Sequence, residues 1–124
     1  MKVISTQEAP KPIGPYSQSI RAGGFLFCSG QIPLDPASGT LVEGTVAVQT
    51  ERVMDNIAAI LKAADISFDD VVKTTIYLID LGDFAEVNAV YARYLGKTQP
   101  ARSTVGIAEL PLGARVEIEV TARL

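Results

Sequence analysis

The sequence predicts a single α+β domain in which two helices cover one face of a sheet. Its 124 residues are 48% hydrophobic and 20% charged, a length and composition typical of one globular domain. Apolar residues recur at helical spacing in two segments, whereas the remaining apolar segments are β-branched or alternate in polarity. The predicted order over the domain, residues 1–124, is strand, strand, strand, helix, strand, helix, strand, strand.

The first three strands are predicted before the first helix. Met1–Ser5 is a short edge strand, and the three prolines within Ala9–Pro15 exclude a helix interior. Tyr16–Ala22 and Phe25–Gln31 are strand-like segments, and the pair Gly23–Gly24 between them is typical of a hairpin turn. The chain therefore opens with a strand followed by a hairpin.

Two amphipathic helices follow. The first begins after Thr45, a good N-cap, and its apolar face comprises Val46, Val53, Ile57, Ile60, Leu61 and Ala64. The second has Asp83 and Glu86 at the spacing of a capping box, with Asp83 as the cap. It runs through Phe84 to Leu95, and Gly96 is a suitable C-cap.

The later strands suggest that the domain does not cover its own sheet. Val71–Asp80 is predicted as the central strand, Pro100–Ile107 as another, and the last strand alternates from Arg115 to Leu124. The central strand is apolar on both parities, with Val71 and Tyr77 on one and Val72, Ile76 and Leu78 on the other. A strand buried on both faces needs two covering layers. We expect another copy of the chain to supply the second layer.

Composition excludes several classes of site. There is no histidine, which excludes His-based nucleophilic catalysis and His metal ligands, and the lone Cys28 excludes an intrachain disulfide or a cysteine zinc cluster. We expect no cofactor and no metal. A net charge of −3 predicts no large basic surface for nucleic acid. With no apolar segment of membrane-spanning length and no secretory signal, we expect a cytoplasmic protein without membrane contact.

Charged candidates for a site lie on the last two predicted strands. Arg102 is either a carboxylate anchor, which its guanidinium geometry suits, or an ordinary surface arginine. Glu117 is either a base that orients water or part of a solvated strand face. Glu119 shares that face, and periodicity does not choose between the two glutamates.

Five uncharged or cationic residues are the remaining candidates. Tyr16 is either a phenol donor at a pocket rim or a half-buried strand aromatic. Ser29 and Gly30 form either a small-residue floor where a ligand approaches the backbone, or a bulge. Cys28 is best explained as a small buried hydrophobe, and Lys73 as an exposed strand lysine.

Taken together, six motifs resemble those of the Rid (YjgF-type) family of reactive enamine/imine intermediate deaminases. They occur in the family's order and cover nearly the whole chain: Ile13–Gln18, Ser29–Pro33, Val72–Thr75, Phe84–Asn88, Pro100–Ser103 and Val116–Glu119. The resemblance implies a fold like bacterial chorismate mutase, with a mixed six-stranded sheet and two helices on one face. It also implies a homotrimeric barrel with active sites between subunits.

The same resemblance implies an activity and a set of site residues. Family members hydrolyse 2-aminoacrylate/2-iminopropanoate and 2-iminobutanoate-type enamines and imines to 2-oxo acids and ammonia. The family's carboxylate-binding arginine corresponds to Arg102 and its water-orienting glutamate to Glu117. Its substrate-binding positions correspond to Tyr16, Ser29, Gly30 and Thr104, with Thr104 in place of a cysteine that many members carry. The alternative is a non-catalytic regulatory protein that binds a 2-oxo acid in the same pocket.

Overall fold

A computed structural model describes residues 1–124 and contains one six-stranded sheet and two long helices. Its elements are β1 (Lys2–Ile4), β2 (Ser19–Ala22), β3 (Phe25–Cys28), α1 (Val46–Ala63), β4 (Val71–Leu78), α2 (Phe84–Leu95), β5 (Ala101–Gly106) and β6 (Val116–Arg123). The strands lie in the order β1-β2-β3-β6-β4-β5; β4 and β5 are parallel and all other neighbours are antiparallel. The predicted α+β fold with a mixed six-stranded sheet is confirmed.

Helix α1 begins as predicted and is fixed by polar side chains that reach neighbouring loops. The Thr45 hydroxyl accepts a hydrogen bond from the Val48 amide at 3.2 Å, which satisfies one free donor of the first turn. The buried Asn56 amide donates to the Leu34 carbonyl at 2.9 Å. The buried Gln49 side chain accepts from the Arg115 amide at 3.1 Å. These contacts attach the loops before α1 and β6 to one rigid helix.

Helix α2 begins and ends at the predicted residues, but its first turn is capped differently. Gly96 follows its last residue with φ of 58°, a backbone conformation that favours glycine. The predicted capping box at its start is wrong, because the Asp83 side chain makes no cap hydrogen bond. A 3₁₀ turn, Leu81–Asp83, leads directly into the helix, and the Asp83 carboxylate instead forms an ion pair with Arg115 at 3.2 Å.

Both strands of the first hairpin are shorter than predicted, since β2 begins later and β3 ends earlier. Strand β2 begins at Ser19 instead of Tyr16, because Tyr16 lies in a tight turn in which its amide bonds the Gly14 carbonyl at 2.8 Å. Strand β3 ends at Cys28. Phe27 pairs with Thr121, and the next pairing along the same two segments joins Gln31 to Ile118. Three residues, 28–30, therefore face two on β6, which is a β-bulge.

A second irregularity changes which residues of β4 are buried. Its register against β6 shifts between Val71 and Lys73, so Val71 faces the helices with Ile76 and Leu78, while Val72 is 41% exposed. The prediction that Val71 and Tyr77 share a face is therefore wrong, because a bulge reverses the alternation. The strand also ends at Leu78, before the predicted Asp80.

One face of the sheet packs on the helices and the other is not covered by the chain. The alternate residues Val116, Ile118, Val120 and Ala122 of β6 are buried in the core, as predicted. The opposite face, called here the open face, carries Glu117, Glu119, Thr75, Tyr77, Phe25 and Phe27. Phe25 and Phe27 are 39% and 48% exposed, which is unusual for large aromatics. Neither helix has the length and apolarity needed to cross a membrane.

Candidate active site

Glu117 lines a small cavity at the edge of the open face. The cavity has a volume of about 80 Å³, and Tyr16, Gly30 and Lys11 also line it. Glu117 lies on β6 opposite Tyr77 of β4, whereas Tyr16 and Lys11 come from the proline-rich segment before β2. Three separate parts of the chain therefore converge on one carboxylate.

Gly30 allows the Glu117 carboxylate to lie against the backbone. A Cβ atom at position 30 would stand 2.6 Å from Oε2 of Glu117, closer than real Cβ contacts. Gly30 is the last residue of the bulge between β3 and Gln31. The segment is thus the bulge that one of the two hypotheses for Ser29–Gly30 predicts, and its glycine makes room for the Glu117 side chain. The approach of a ligand to this backbone stays a prediction.

The two glutamates of β6 have different surroundings. Burial raises the pKa of the Glu117 carboxyl, and the negative charge of Glu119 raises it further. Glu119 accepts a hydrogen bond from the Tyr77 hydroxyl at 2.8 Å. Glu117 accepts none from any group of the chain, so both of its oxygens are free to bind water or a substrate proton. This difference favours Glu117 as the base, a choice that periodicity left open.

Tyr16 and Ser29 are both near this cavity, but only Tyr16 lines it. The Tyr16 hydroxyl accepts a weak hydrogen bond from the Ile13 amide at 3.4 Å, and the side chain is half exposed at the cavity mouth. The Ser29 hydroxyl donates its proton to the Ser17 carbonyl at 2.6 Å. Ser29 thus ties the end of β3 to the segment before β2, and its oxygen can only accept a further hydrogen bond.

Arg102 lies in a different cavity, of about 430 Å³, between β5 and the C-terminal half of α2. Its Nη1 donates to Oδ1 of Asn88 at 2.8 Å. The guanidinium carbon lies 5.4 Å from the ring centre of Phe84 and 5.1 Å from that of Tyr91. Its other donors bond no group of the chain, and neither ion pair in the structure involves it. The guanidinium is therefore held in place with its charge uncompensated.

Thr104 follows Arg102 by two residues and points to the same side of β5. In the parallel pairing, Arg102 lies beside Thr74 and Thr104 beside Ile76, both buried on the helix side of the sheet. The Thr104 hydroxyl is buried and has no hydrogen-bond partner. A buried hydroxyl without a partner is uncommon, so this atom is a free polar group close to Arg102.

Arg102 and Glu117 face opposite sides of the sheet within one chain. Arg102 shares the helix side with Thr74, whereas Glu117 pairs with Tyr77 on the open face. Their cavities have no lining residue in common. The structure therefore groups Glu117, Tyr16 and Gly30 in one place and Arg102 and Thr104 in another, and a single chain does not bring the two groups together.

The structure supports the simpler explanations for two other candidates, Cys28 as a small buried side chain and Lys73 as an exposed strand lysine. Cys28 is buried in the core, and burial raises the pKa of its thiol to about 12, so it is not a thiolate nucleophile at neutral pH. Lys73 is exposed and donates to the Ser103 hydroxyl at 3.3 Å. No group of three or more carboxylate or thiol side chains is arranged to bind a metal ion.

Three residues of the site received no role from the sequence. Asn88 and Tyr91 belong to α2, and helical periodicity assigns Tyr91 to the core without indicating its contact with Arg102. Gln18 is buried, and its amide donates to the carbonyls of Thr6, Ala9 and Pro10, which fixes the wall of the Glu117 cavity. A glutamine directly before a strand is the only indication in the sequence, and residue spacing does not reveal such hydrogen-bond partners.

Comparison with known proteins finds relatives that match nearly the whole chain. Residues 6–124 match the family described as Endoribonuclease L-PSP. A RutC family protein of Pyrococcus horikoshii is 54% identical, covering 98% of this chain and 96% of that protein. A 2-iminobutanoate/2-iminopropanoate deaminase of Mus musculus is 48% identical, covering 98% and 90%. The crystal structure of E. coli TdcF with bound serine superposes with a TM-score of 0.95 at 40% identity, covering 100% and 99%.

Proposed function

Because the chain belongs to the YjgF/Rid family, we propose that it hydrolyses reactive enamines and imines derived from 2-amino acids to 2-oxo acids and ammonia. Its substrates in this proposal are 2-aminoacrylate/2-iminopropanoate and 2-iminobutanoate. The mouse relative bears the name of this activity, whereas the Pyrococcus relative bears only a family name. The observation that carries the proposal is the Glu117 carboxylate, half-buried, with a raised pKa and no hydrogen-bond donor in the chain.

The reaction needs few groups, and the chain offers them. The carbon of a protonated imine is already electrophilic, so hydrolysis requires a positioned water, a bound substrate carboxylate and a route for protons. Glu117 accepts a proton from water as the oxygen attacks, giving a carbinolamine. It returns that proton to the amine nitrogen, and the C–N bond then breaks as the carbinolamine hydroxyl loses its remaining proton to the regenerated Glu117 carboxylate, so that ammonia and the 2-oxo acid are released. A carboxyl with a raised pKa suits both steps.

Arg102 binds the substrate carboxylate in this mechanism. Its free donors match the two oxygens of a carboxylate, and no acidic side chain of the chain competes for its charge. Thr104, two residues along the same side of β5, carries a buried hydroxyl without a hydrogen-bond partner. Tyr16 and Gly30 line the other side of the pocket, with Tyr16 at the mouth, where it closes over the bound imine. Ser29, next to Gly30, supports this side through its hydrogen bond to the Ser17 carbonyl.

We further propose a homotrimer whose active sites lie between subunits. A site that uses both Arg102 and Glu117 needs two chains, because these residues lie on opposite sides of the sheet in one chain. The exposed aromatics of the open face, Phe25 and Phe27, support burial of that face against another copy. In this arrangement the β5 edge of one subunit presents Arg102 to the Glu117 cavity of its neighbour.

A coupled assay tests the activity. A pyridoxal-phosphate-dependent threonine dehydratase generates 2-iminobutanoate. Release of 2-oxobutanoate is followed under conditions in which spontaneous hydrolysis of this imine limits the rate. We expect the release rate to rise in proportion to added protein and not to rise with Glu117→Gln. Calorimetry with 2-oxobutanoate is the companion measurement. Tight binding without any turnover would instead establish the regulatory, non-catalytic alternative.

A further inference from the structure

The guanidinium of Arg102 is held by one face of helix α2. Phe84, Asn88 and Tyr91 follow one another at intervals of four and three residues, so they lie along one side of the helix. Two of them place an aromatic ring within 5.4 Å of the guanidinium carbon, and the third accepts a hydrogen bond from Nη1. The helix thus supplies two cation–π contacts and one acceptor.

Tyr91 differs from the other two because it is also fixed to the sheet. Its ring is buried, and its hydroxyl hydrogen-bonds the Thr74 hydroxyl at 2.9 Å. Thr74 is buried on β4 and is the residue that pairs with Arg102 across the parallel β4–β5 ladder. The ring is therefore fixed from the helix by its backbone and from the sheet by its hydroxyl. Phe84 and Asn88 are half-buried and have no comparable second attachment.

We propose that Tyr91, anchored by Thr74, is a positioning residue that orients the Arg102 guanidinium for the substrate carboxylate. This inference rests on the proposed role of Arg102 in substrate binding. An exposed arginine samples many rotamers, and selecting one of them opposes ligand binding. A fixed ring 5.1 Å from the guanidinium carbon limits the rotamers of Arg102 and so removes part of that cost. Tyr91 has no need to touch the substrate.

Replacing the ring tests the proposal. In Tyr91→Leu we expect KM and the Kd for 2-oxobutanoate to rise about tenfold or more while kcat changes by less than about threefold, because Arg102 contacts the carboxylate in both ground and transition states. Tyr91→Phe keeps the ring and loses only the bond to Thr74, so it should recover most of the affinity. Tyr94→Leu is the matched control, since Tyr94 lies on the same helix but packs on Phe68 and bonds Asp55.

Testing the same substitution in a protein that lacks Arg102 separates loss of Arg102 positioning from a general structural defect. Tyr91→Leu introduced into Arg102→Ala should cause no further loss of 2-oxobutanoate affinity, because the group that the ring orients is absent. An equal loss in both backgrounds would overturn the proposal. If Tyr91→Leu does not fold, Thr74→Val and Tyr91→Phe take its place. Each should weaken binding modestly, and their combination should weaken it no more than either alone.

An NMR measurement distinguishes failure of this inference from failure of the proposed function. The Nε–Hε signal of Arg102, assigned by its loss in Arg102→Lys, should shift strongly in Tyr91→Leu and stay unchanged in Tyr94→Leu. An unchanged signal in Tyr91→Leu overturns the positioning role even if the wild type is an active deaminase. A shifted signal in a protein that neither binds 2-oxobutanoate nor deaminates supports positioning of Arg102 and rejects the proposed function.

Discussion

At the scale of single residues, the candidates for function are charged side chains that lack a charged partner. Several charged side chains have partners, as in Arg93 with Glu51, Arg115 with Asp83 and Glu119 with Tyr77. Arg102 and Glu117 do not: the first bonds only a neutral amide and the second accepts no hydrogen bond. A partly buried carboxylate without a partner destabilises a fold, which is typical of a functional group and not of a structural one.

Removal of Arg102 is the strongest test of substrate binding. We expect Arg102→Ala to lower kcat/KM at least about a hundredfold, since it removes a charge-assisted pair from a partly desolvated site. Arg102→Lys should recover little, because an ammonium cannot replace the planar pair of donors. Arg93→Ala serves as the control, because Arg93 is an exposed arginine of α2 that pairs with Glu51. Near-native rates on dehydratase-generated 2-iminobutanoate would remove Arg102 from the site.

The two glutamates of β6 should differ in their effect on turnover. Glu117→Gln keeps the shape of the side chain but cannot accept the proton of water, so the first-order rate on freshly generated 2-iminobutanoate should fall strongly. Glu119→Gln should have a much smaller effect, because Glu119 is engaged by Tyr77 and does not line the cavity. Equal effects of the two substitutions would contradict the assignment of Glu117 as the base.

The raised pKa of Glu117 also predicts a pH-dependent stability. Below the ordinary pKa of 4.5, Glu117 is protonated in both folded and unfolded states, so it causes no change of stability with pH there. As the pH rises through 4.5 toward the higher folded-state pKa, the unfolded chain loses the proton first, so the folded state becomes relatively less stable. We expect Glu117→Gln to raise Tm at pH 7 and to raise it less at pH 4. A lower Tm at pH 7 would contradict the raised pKa.

At the scale of elements, departures from regular structure place the site residues. The bulge over residues 28–30 brings the backbone beside Glu117, and the turn before β2 brings Tyr16 to the same cavity. Helix α2 holds Arg102 on the other side of the sheet. Regular strands would leave these side chains exposed on a flat surface, whereas the irregular segments give each one defined neighbours.

A methyl group at position 30 should separate the structural and catalytic roles of the bulge. In Gly30→Ala the new Cβ would lie 2.6 Å from Oε2 of Glu117, and the flexible end of that side chain can move away. We expect the protein to fold, with a small loss in Tm and a loss of turnover of about tenfold or more. Gly39→Ala is the control, because it strains a loop at φ of 71° away from Glu117. Unchanged turnover in Gly30→Ala would show that the position of Glu117 is not critical.

At the scale of the whole molecule, one chain carries the candidate residues in two separate groups, which are the half-sites of the proposed active site. The helix side of the sheet offers Arg102 with Thr104, and the open face offers Glu117 with Tyr16 and Gly30. The exposed aromatics Phe25 and Phe27 make the open face suited to contact with another copy. Assembly and catalysis are therefore coupled in the proposed trimer, since separation of the subunits would also separate the half-sites.

Mixed trimers test this coupling directly. Arg102→Ala and Glu117→Gln proteins, each inactive alone, should regain activity when they are unfolded and refolded together. With random mixing, about a quarter of sites would receive Arg102 and Glu117 intact from two different chains. Light scattering should give three times 13.2 kDa, about 40 kDa, for the mixture and for each parent. A stable monomer, or no recovery of activity in the mixture, would contradict a site shared between subunits.

The sequence alone determined which segments form strands and helices. Both helices lie where the three-to-four-residue spacing predicts them, and Thr45 and Gly96 flank them as expected, because periodicity and caps are local properties. The alternation of β6 likewise predicted its buried residues. The motifs indicated Arg102 and Glu117 as functional residues, although spacing by itself did not separate Glu117 from Glu119.

Only the tertiary structure decided how these residues are combined. The two bulges shift side chains between the faces of the sheet, and each depends on the register with β6, which is distant in the sequence. The contacts of Arg102 with Tyr91 and of Gly30 with Glu117 likewise join separate segments. Arg102 and Glu117 face opposite sides of the sheet for two reasons together. One is the order of the strands, and the other is the alternation of side chains along each strand. Local patterns fix the elements of this protein, whereas long-range pairing fixes its half-sites.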